Sequence, residues 1–175
     1  MEYGTPTKLQ DGRYFLRITS NGGNRVLKQI NGAEVQEANC FKVPVDLQEF
    51  DRDILAEAEK NSEQWFGKKV DADALAKAFD SSVNTGLLEA PFVKRNSSVI
   101  TRVFDSEKKE VSPEVLVPGT KCDILVELTG LWFLKKSFGP VWRVVQVRLK
   151  KGSSFPSKYM FSDEDGEEED DEYYV

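Results

Sequence analysis

Two runs of strand-forming residues, 122–134 and 141–149, constrain this chain more than any other feature. They are the strongest strand signals in the sequence and are joined by Lys135-Lys136-Ser137-Phe138-Gly139. Side chains along a strand alternate between faces. In the first run Cys122, Ile124, Val126, Leu128, Gly130, Trp132 and Leu134 fall on one face, which reads as core. Asp123, Leu125, Glu127, Thr129, Leu131, Phe133 and Lys135 form a mixed face. Gly130 complicates the pattern, because glycine inside a strand often marks a bulge. A bulge there would swap the faces, turning Trp132 outward and Phe133 inward; the sequence leaves open which of the two is exposed. In the second run Val141, Val145, Val147 and Leu149 share a mostly buried face with Arg143. Trp142, Val144, Gln146, Arg148 and Lys150 form the other.

The remaining chain is read around these runs. Residues 13–19 and 25–30 flank Asn21-Gly22-Gly23, which predicts a hairpin whose glycines supply positive φ. A short strand is expected at 39–44. The period then changes. Asp46 with Glu49 three residues on predicts a capping box. Leu47, Phe50, Ile54, Ala58 and Trp65 recur at helical spacing, with Gly67 as a stop. Asp71 opens a second short helix through Leu75 and Phe79. The aromatic residues of this stretch read as core. Strands return at 99–104 and 115–117, with a charged turn between them and a Pro118-Gly119-Thr120 turn after them. The expectation is one mainly β domain over 1–161, a partly closed antiparallel barrel with a helical insertion at about 46–80. The segment 150–160 reads as a linker.

Charge divides the chain unevenly. The net is -6 overall, yet residues 162–175 alone carry -9. These carboxylates are Asp163, Glu164, Asp165, Glu167, Glu168, Glu169, Asp170, Asp171 and Glu172, followed by Tyr173, Tyr174 and Val175. The rest is therefore at +3. Its surplus is concentrated in 94–158, at +7, against -4 in 1–93. A run of like charges cannot bury enough apolar surface to fold, so 162–175 is expected to be a disordered tail. It reads either as a solubilising tail or as a nucleic-acid mimic competing for a basic groove, its terminal aromatic residues serving as a hook for partners.

Composition narrows the function classes. There is no histidine, and the 2 cysteines, Cys40 and Cys122, lie far apart. They read as reduced thiols of an intracellular protein. No zinc site is expected and no cofactor is implied. No run approaches a membrane span and no signal-peptide core is present. Phosphate-binding, dinucleotide, zinc-protease and nucleophile-elbow motifs are absent, so an enzyme is not expected.

The basic half interleaves aromatic rings with cations on three segments. One is Trp142 with Arg143, Arg148 and Lys150; another is Trp132, Phe133, Lys135, Lys136 and Phe138; the third is Arg13, Phe15 and Arg17. Lys94, Arg95 and Arg102 extend the groove. Rings that stack on bases beside cations that meet phosphates are what a single-stranded nucleic-acid platform needs.

The stretch from Val126-Glu-Leu-Thr-Gly-Leu-Trp-Phe-Leu-Lys-Lys-Ser-Phe-Gly-Pro to Val-Trp-Arg-Val-Val-Gln-Val-Arg-Leu149, with Pro118-Gly119-Thr120 before it and the tail after it, resembles the OB-fold single-stranded DNA-binding proteins of DNA viruses and phages. The resemblance covers roughly residues 90–175. It implies an OB-like barrel in which Trp142, Phe133 or Trp132, Lys135, Lys136, Arg148 and Lys150 contact DNA. It also implies a tail that binds replication proteins such as a polymerase or helicase. The expected function is sequence-nonspecific binding of single-stranded DNA in replication, recombination or repair, in the host cytoplasm or nucleus if viral, with a homodimer an open option. The alternative is an acidic-tail protein-interaction module: a chaperone, transcription or assembly factor.

Overall fold

The computed structural model describes residues 1–37 and 39–151; residues 152–175, and with them the tail, lie outside the described residues. The strands are β1 (Glu2–Tyr3), β2 (Thr7–Lys8), β3 (Tyr14–Thr19), β4 (Val26–Glu37), β5 (Cys40–Lys42), β6 (Val83–Asn84), β7 (Leu87–Glu89), β8 (Lys94–Arg95), β9 (Ser98–Val99), β10 (Arg102–Phe104), β11 (Glu110–Val111), β12 (Lys121–Phe133) and β13 (Phe138–Leu149). Three helices, α1 (Gln48–Lys60), α2 (Ser62–Phe66) and α3 (Ala72–Ala78), fill the expected insertion. The fold is mainly β. Its large sheet runs β11-β10-β13-β12-β4-β5-β7-β6 and does not close, because β11 and β6 do not meet. Strands β8 and β9 form a separate two-stranded ribbon.

Strand β12 is the spine. One edge pairs antiparallel with β13 from Cys122↔Leu149 to Phe133↔Phe138, with register shifts at Leu125/Val126 and Leu128/Gly130. The other edge is shared: Lys121 to Leu128 pairs with β4, and Gly130 to Phe133 pairs with β3. Both partners run antiparallel to β12, so β3 and β4 lie in line and not side by side. The hairpin expected between them does not form. Asn21-Gly22-Gly23 instead makes a side loop, closed by the Ser20 N–H donating to Asn24 C=O and the Gly23 N–H to Ser20 C=O. The turn chemistry is present, but the chain leaves the loop in its original direction. The free edge of β13 takes β10 as a parallel partner.

The helices cover one face of this sheet. Glu49 forms no capping box; it pairs with Lys28 at 3.4 Å, while Asp46 accepts the Gln48 N–H at 3.1 Å. The helical stretch breaks at Asn61, and α2 ends at Gly67. Asp71 caps α3 by accepting the Ala74 N–H. Val115 belongs to a 3-10 turn, Pro113–Val115, and not to a strand. Phe133 and Phe138 stack at 6.0 Å, and Trp65 and Phe66 meet them edge-on. Phe50 stands edge-on to Trp142 at 5.2 Å. Beneath them Asp51 accepts the Ser82 backbone N–H and, at 2.6 Å, the Ser82 hydroxyl, which in turn accepts the Trp142 indole N–H at 2.9 Å. This chain of bonds ties α1 to β13. Burial raises the Asp51 pKa above the ordinary carboxylate range, against the bonds from Ser82.

Candidate nucleic-acid interface

The two bulges set the faces of the hairpin. On β12, Ile124, Val126, Leu128, Leu131 and Phe133 are buried on one face, with Phe138, Trp142, Val144 and Val147 on β13, and Phe133, Phe138 and Trp142 meet rings of the helices there. The opposite, outer face carries cross-strand pairs Asp123/Arg148, Leu125/Gln146, Glu127/Arg143, Gly130/Val141 and Trp132/Gly139. Trp142 at 2% exposure, Phe138 at 0% and Phe133 at 6% are therefore core residues, not exposed rings. The expectation that they contact nucleic acid is corrected: the extra residue at each bulge shifts the alternation. Val141 and Arg143, expected on the buried face, lie on the outer one. Of the Trp132/Phe133 pair, Trp132 is the outward residue.

Two half-buried rings remain outside, and they are neighbours. Phe15 on β3 lies directly across from Trp132 on β12. Each ring covers a glycine. A Cβ on Gly130 would meet Phe15 Cζ at 2.5 Å, and one on Gly139 would meet Trp132 Cζ2 at 2.9 Å. Only glycine lets the rings lie this close to the sheet. The rings help line a trough of about 670 Å³, walled on one side by Leu9, Arg13 and Tyr14 and on the other by the segment from Asp80 to Pro91. Tyr14, 45% exposed, also lines the trough, although strand alternation sets it apart from Arg13 and Phe15 on either side.

The cations are distributed around the trough and along the outer face. Arg13 lines the trough and is held by Asp11 at 2.6 Å. Arg17 faces Gly130 across the strand pair, and Lys135 and Lys136 are exposed in the β12–β13 turn. Further along, Arg143 bonds Glu127 at 2.9 Å, with Arg25 at 3.9 Å. Arg148 and Lys150 reach Asp123 at 2.6 and 2.9 Å. Burial would push the Asp123 carboxyl up, but the bonds from Lys150, Arg148 and the Gly32 N–H outweigh it and leave the pKa lowered. Arg102 bonds Glu110 at 2.9 Å and lies over the Phe104 ring. These buried or bridging carboxylates orient the arginines without cancelling the surplus of positive charge. Lys94 and Arg95 sit on the separate ribbon of β8 and β9, and neither lines the trough. The tail residues 163–165 and 167–175 lie outside the described residues.

An open, mainly β fold with rings and arginines on one sheet face is the class these features define. The chain belongs to the family of unknown function DUF5871, whose match covers residues 26–163. No curated protein matches it. Among solved structures it is similar to the single-stranded DNA-binding protein from bacteriophage Enc34 in complex with ssDNA. The two are 13% identical, the likeness covers 83% of this chain and 94% of that one, and the TM-score is 0.41. A likeness this slight carries no argument about function.

Proposed function

We propose that the protein binds single-stranded DNA without sequence preference on the outer face of the β3–β12–β13 sheet. The observation that carries this reading is that Phe15 and Trp132, partners across β3 and β12, lie over Gly130 and Gly139 on the face that also bears Arg17, Arg143 and Arg148. Every base has a π-face, so stacking on such rings is tolerant of sequence and contributes about 1–3 kcal/mol per base. The arginines and the turn lysines meet the phosphates. A role in replication, recombination or repair, with the acidic tail competing for the same face and recruiting partners, extends the reading. No catalytic step is part of it.

The chain's 3 tryptophans make the test direct. Trp65 and Trp142 are buried and Trp132 is not. Adding oligo(dT) should quench part of the fluorescence, more weakly at higher salt, and Trp132→Phe should remove that quench. Quenching that survives in Trp132→Phe, or no binding by wild type, rejects the proposal. Binding of basic peptides with no response to oligo(dT) points to the protein-interaction module instead. Deleting residues 162–175 should tighten binding; unchanged affinity removes the competing role of the tail.

A further inference from the structure

The outer face has a second hollow, of about 360 Å³, at the end of the hairpin away from Trp132. Leu125 forms its floor between Gln29 on β4 and Gln146 on β13, its direct partners on the two sides. Phe104 and Arg148 are partners across β10 and β13 and stand together at one wall. Lys108, from the loop between β10 and β11, completes the lining and has no ion-pair partner among the described residues. Asp123 also lines the hollow, but Arg148 and Lys150 already bind it. The hollow thus combines the Gln146 amide, both donor and acceptor, the Gln29 amide, whose nitrogen already donates to Asn31 Oδ1 at 2.9 Å, an aromatic ring and a cation left free for an anion.

We propose that this hollow is a second nucleotide subsite, so that one DNA strand lies lengthwise along β12 and β13. This rests on the reading of the outer face given above. A base stacks at Phe15 and Trp132, and a phosphate further along the same strand is held by Lys108 and Arg148. Between the two ends the face carries Arg143 with Glu127, and Arg25 nearby. From Trp132 to Leu125 the strand rises about 23 Å, at ~3.3 Å per residue. A stacked strand advances about 3.4 Å per nucleotide, so at most about seven nucleotides join the ends. Short strands reach one subsite; longer ones reach both.

The test is a length series. Lys108→Gln/Gln146→Ala changes two exposed side chains and leaves the Arg148–Asp123 pair intact. Lys108→Gln alone serves as a second variant. With oligo(dT) of about twelve nucleotides the double variant should bind about five-fold more weakly, and its log–log salt slope should be shallower by about 0.7 for the lost phosphate contact. With about four nucleotides it should match wild type. Equal losses at both lengths, or none at the longer, overturn the subsite while leaving the trough in place. Wild type that binds neither length rejects the single-strand reading itself.

Discussion

The aromatic residues of β3, β12 and β13 form two sets that do opposite things. Phe133, Phe138 and Trp142 point inward and meet other rings: Trp65, Phe66 and Phe50. Phe15 and Trp132 point outward, and among the described residues they meet no ring; each lies over a glycine and borders the trough. Residue type is the same in both sets. What separates them is the face they stand on: alternation puts Trp132 and Phe133 on opposite sides of β12, and the bulge at Leu128/Gly130 decides which of the two is outward. An aromatic ring in a strand thus becomes cement or platform according to a single inserted residue.

The largest effect that could break this comparison is on the inner set. Trp142→Ala should lower stability by about 3–5 kcal/mol, as large aromatic truncations in cores do. Urea unfolding measures the loss, and oligo(dT) affinity per folded molecule should stay unchanged. A weakened affinity in the folded fraction would put Trp142 back at the interface. For the outer set, Trp132→Ala should cost about 1–3 kcal/mol of binding in a fluorescence-anisotropy titration, with a smaller change in the unfolding midpoint.

Next in size is the contrast between two carboxylates. Asp51, on the inner side, has a raised pKa, so its contribution to stability is complete below the unfolded value of 3.8 and is lost as pH rises through the raised folded value. Asp123, on the outer side, has a lowered pKa; its contribution is present above 3.8 and is lost as pH falls through the lowered value. Asp51→Asn should therefore lose less stability than wild type as pH climbs from about 4 to 7. Equal pH slopes for the two proteins would show that Asp51 is not strained by burial. The smallest expected change is in Lys135→Gln/Lys136→Gln, which should make the salt dependence of oligo(dT) binding shallower by up to about 1.4, near 0.7 per lysine that meets a phosphate. No change in slope would remove the turn from the contact surface.

Much of the fold was legible in the sequence because it depends on local pattern. The helical insertion, the buried Trp65, the Asp71 cap and the two long strands follow from spacing and turn residues. Two things were not legible. The pairing of β3 with β12 spans more than a hundred residues, and no local signal distinguishes a reversing glycine turn from a side loop. The strict alternation expected in 141–149 fails because the shift at Leu125/Val126 leaves Val145 without a partner, and nothing in Val145 itself signals it. At the candidate site, Phe15 with Arg17 followed from alternation alone, since no bulge interrupts β3. The arginines of β13 were visible as charges. The carboxylates that hold them, Glu127 and Asp123, appeared only as members of a mixed face.

The shared edge of β12 also has a consequence for biosynthesis. Strand β3 pairs with β1 and β2, and β4 with β5, but the edge that each turns to β12 has no partner until residues 121–133 have emerged from the ribosome. Long-range pairing of this kind slows folding and leaves apolar strands unpartnered in the nascent chain. Chaperone demand should therefore persist until nearly the whole sheet has been translated, and chains halted before β12 should fail to accumulate.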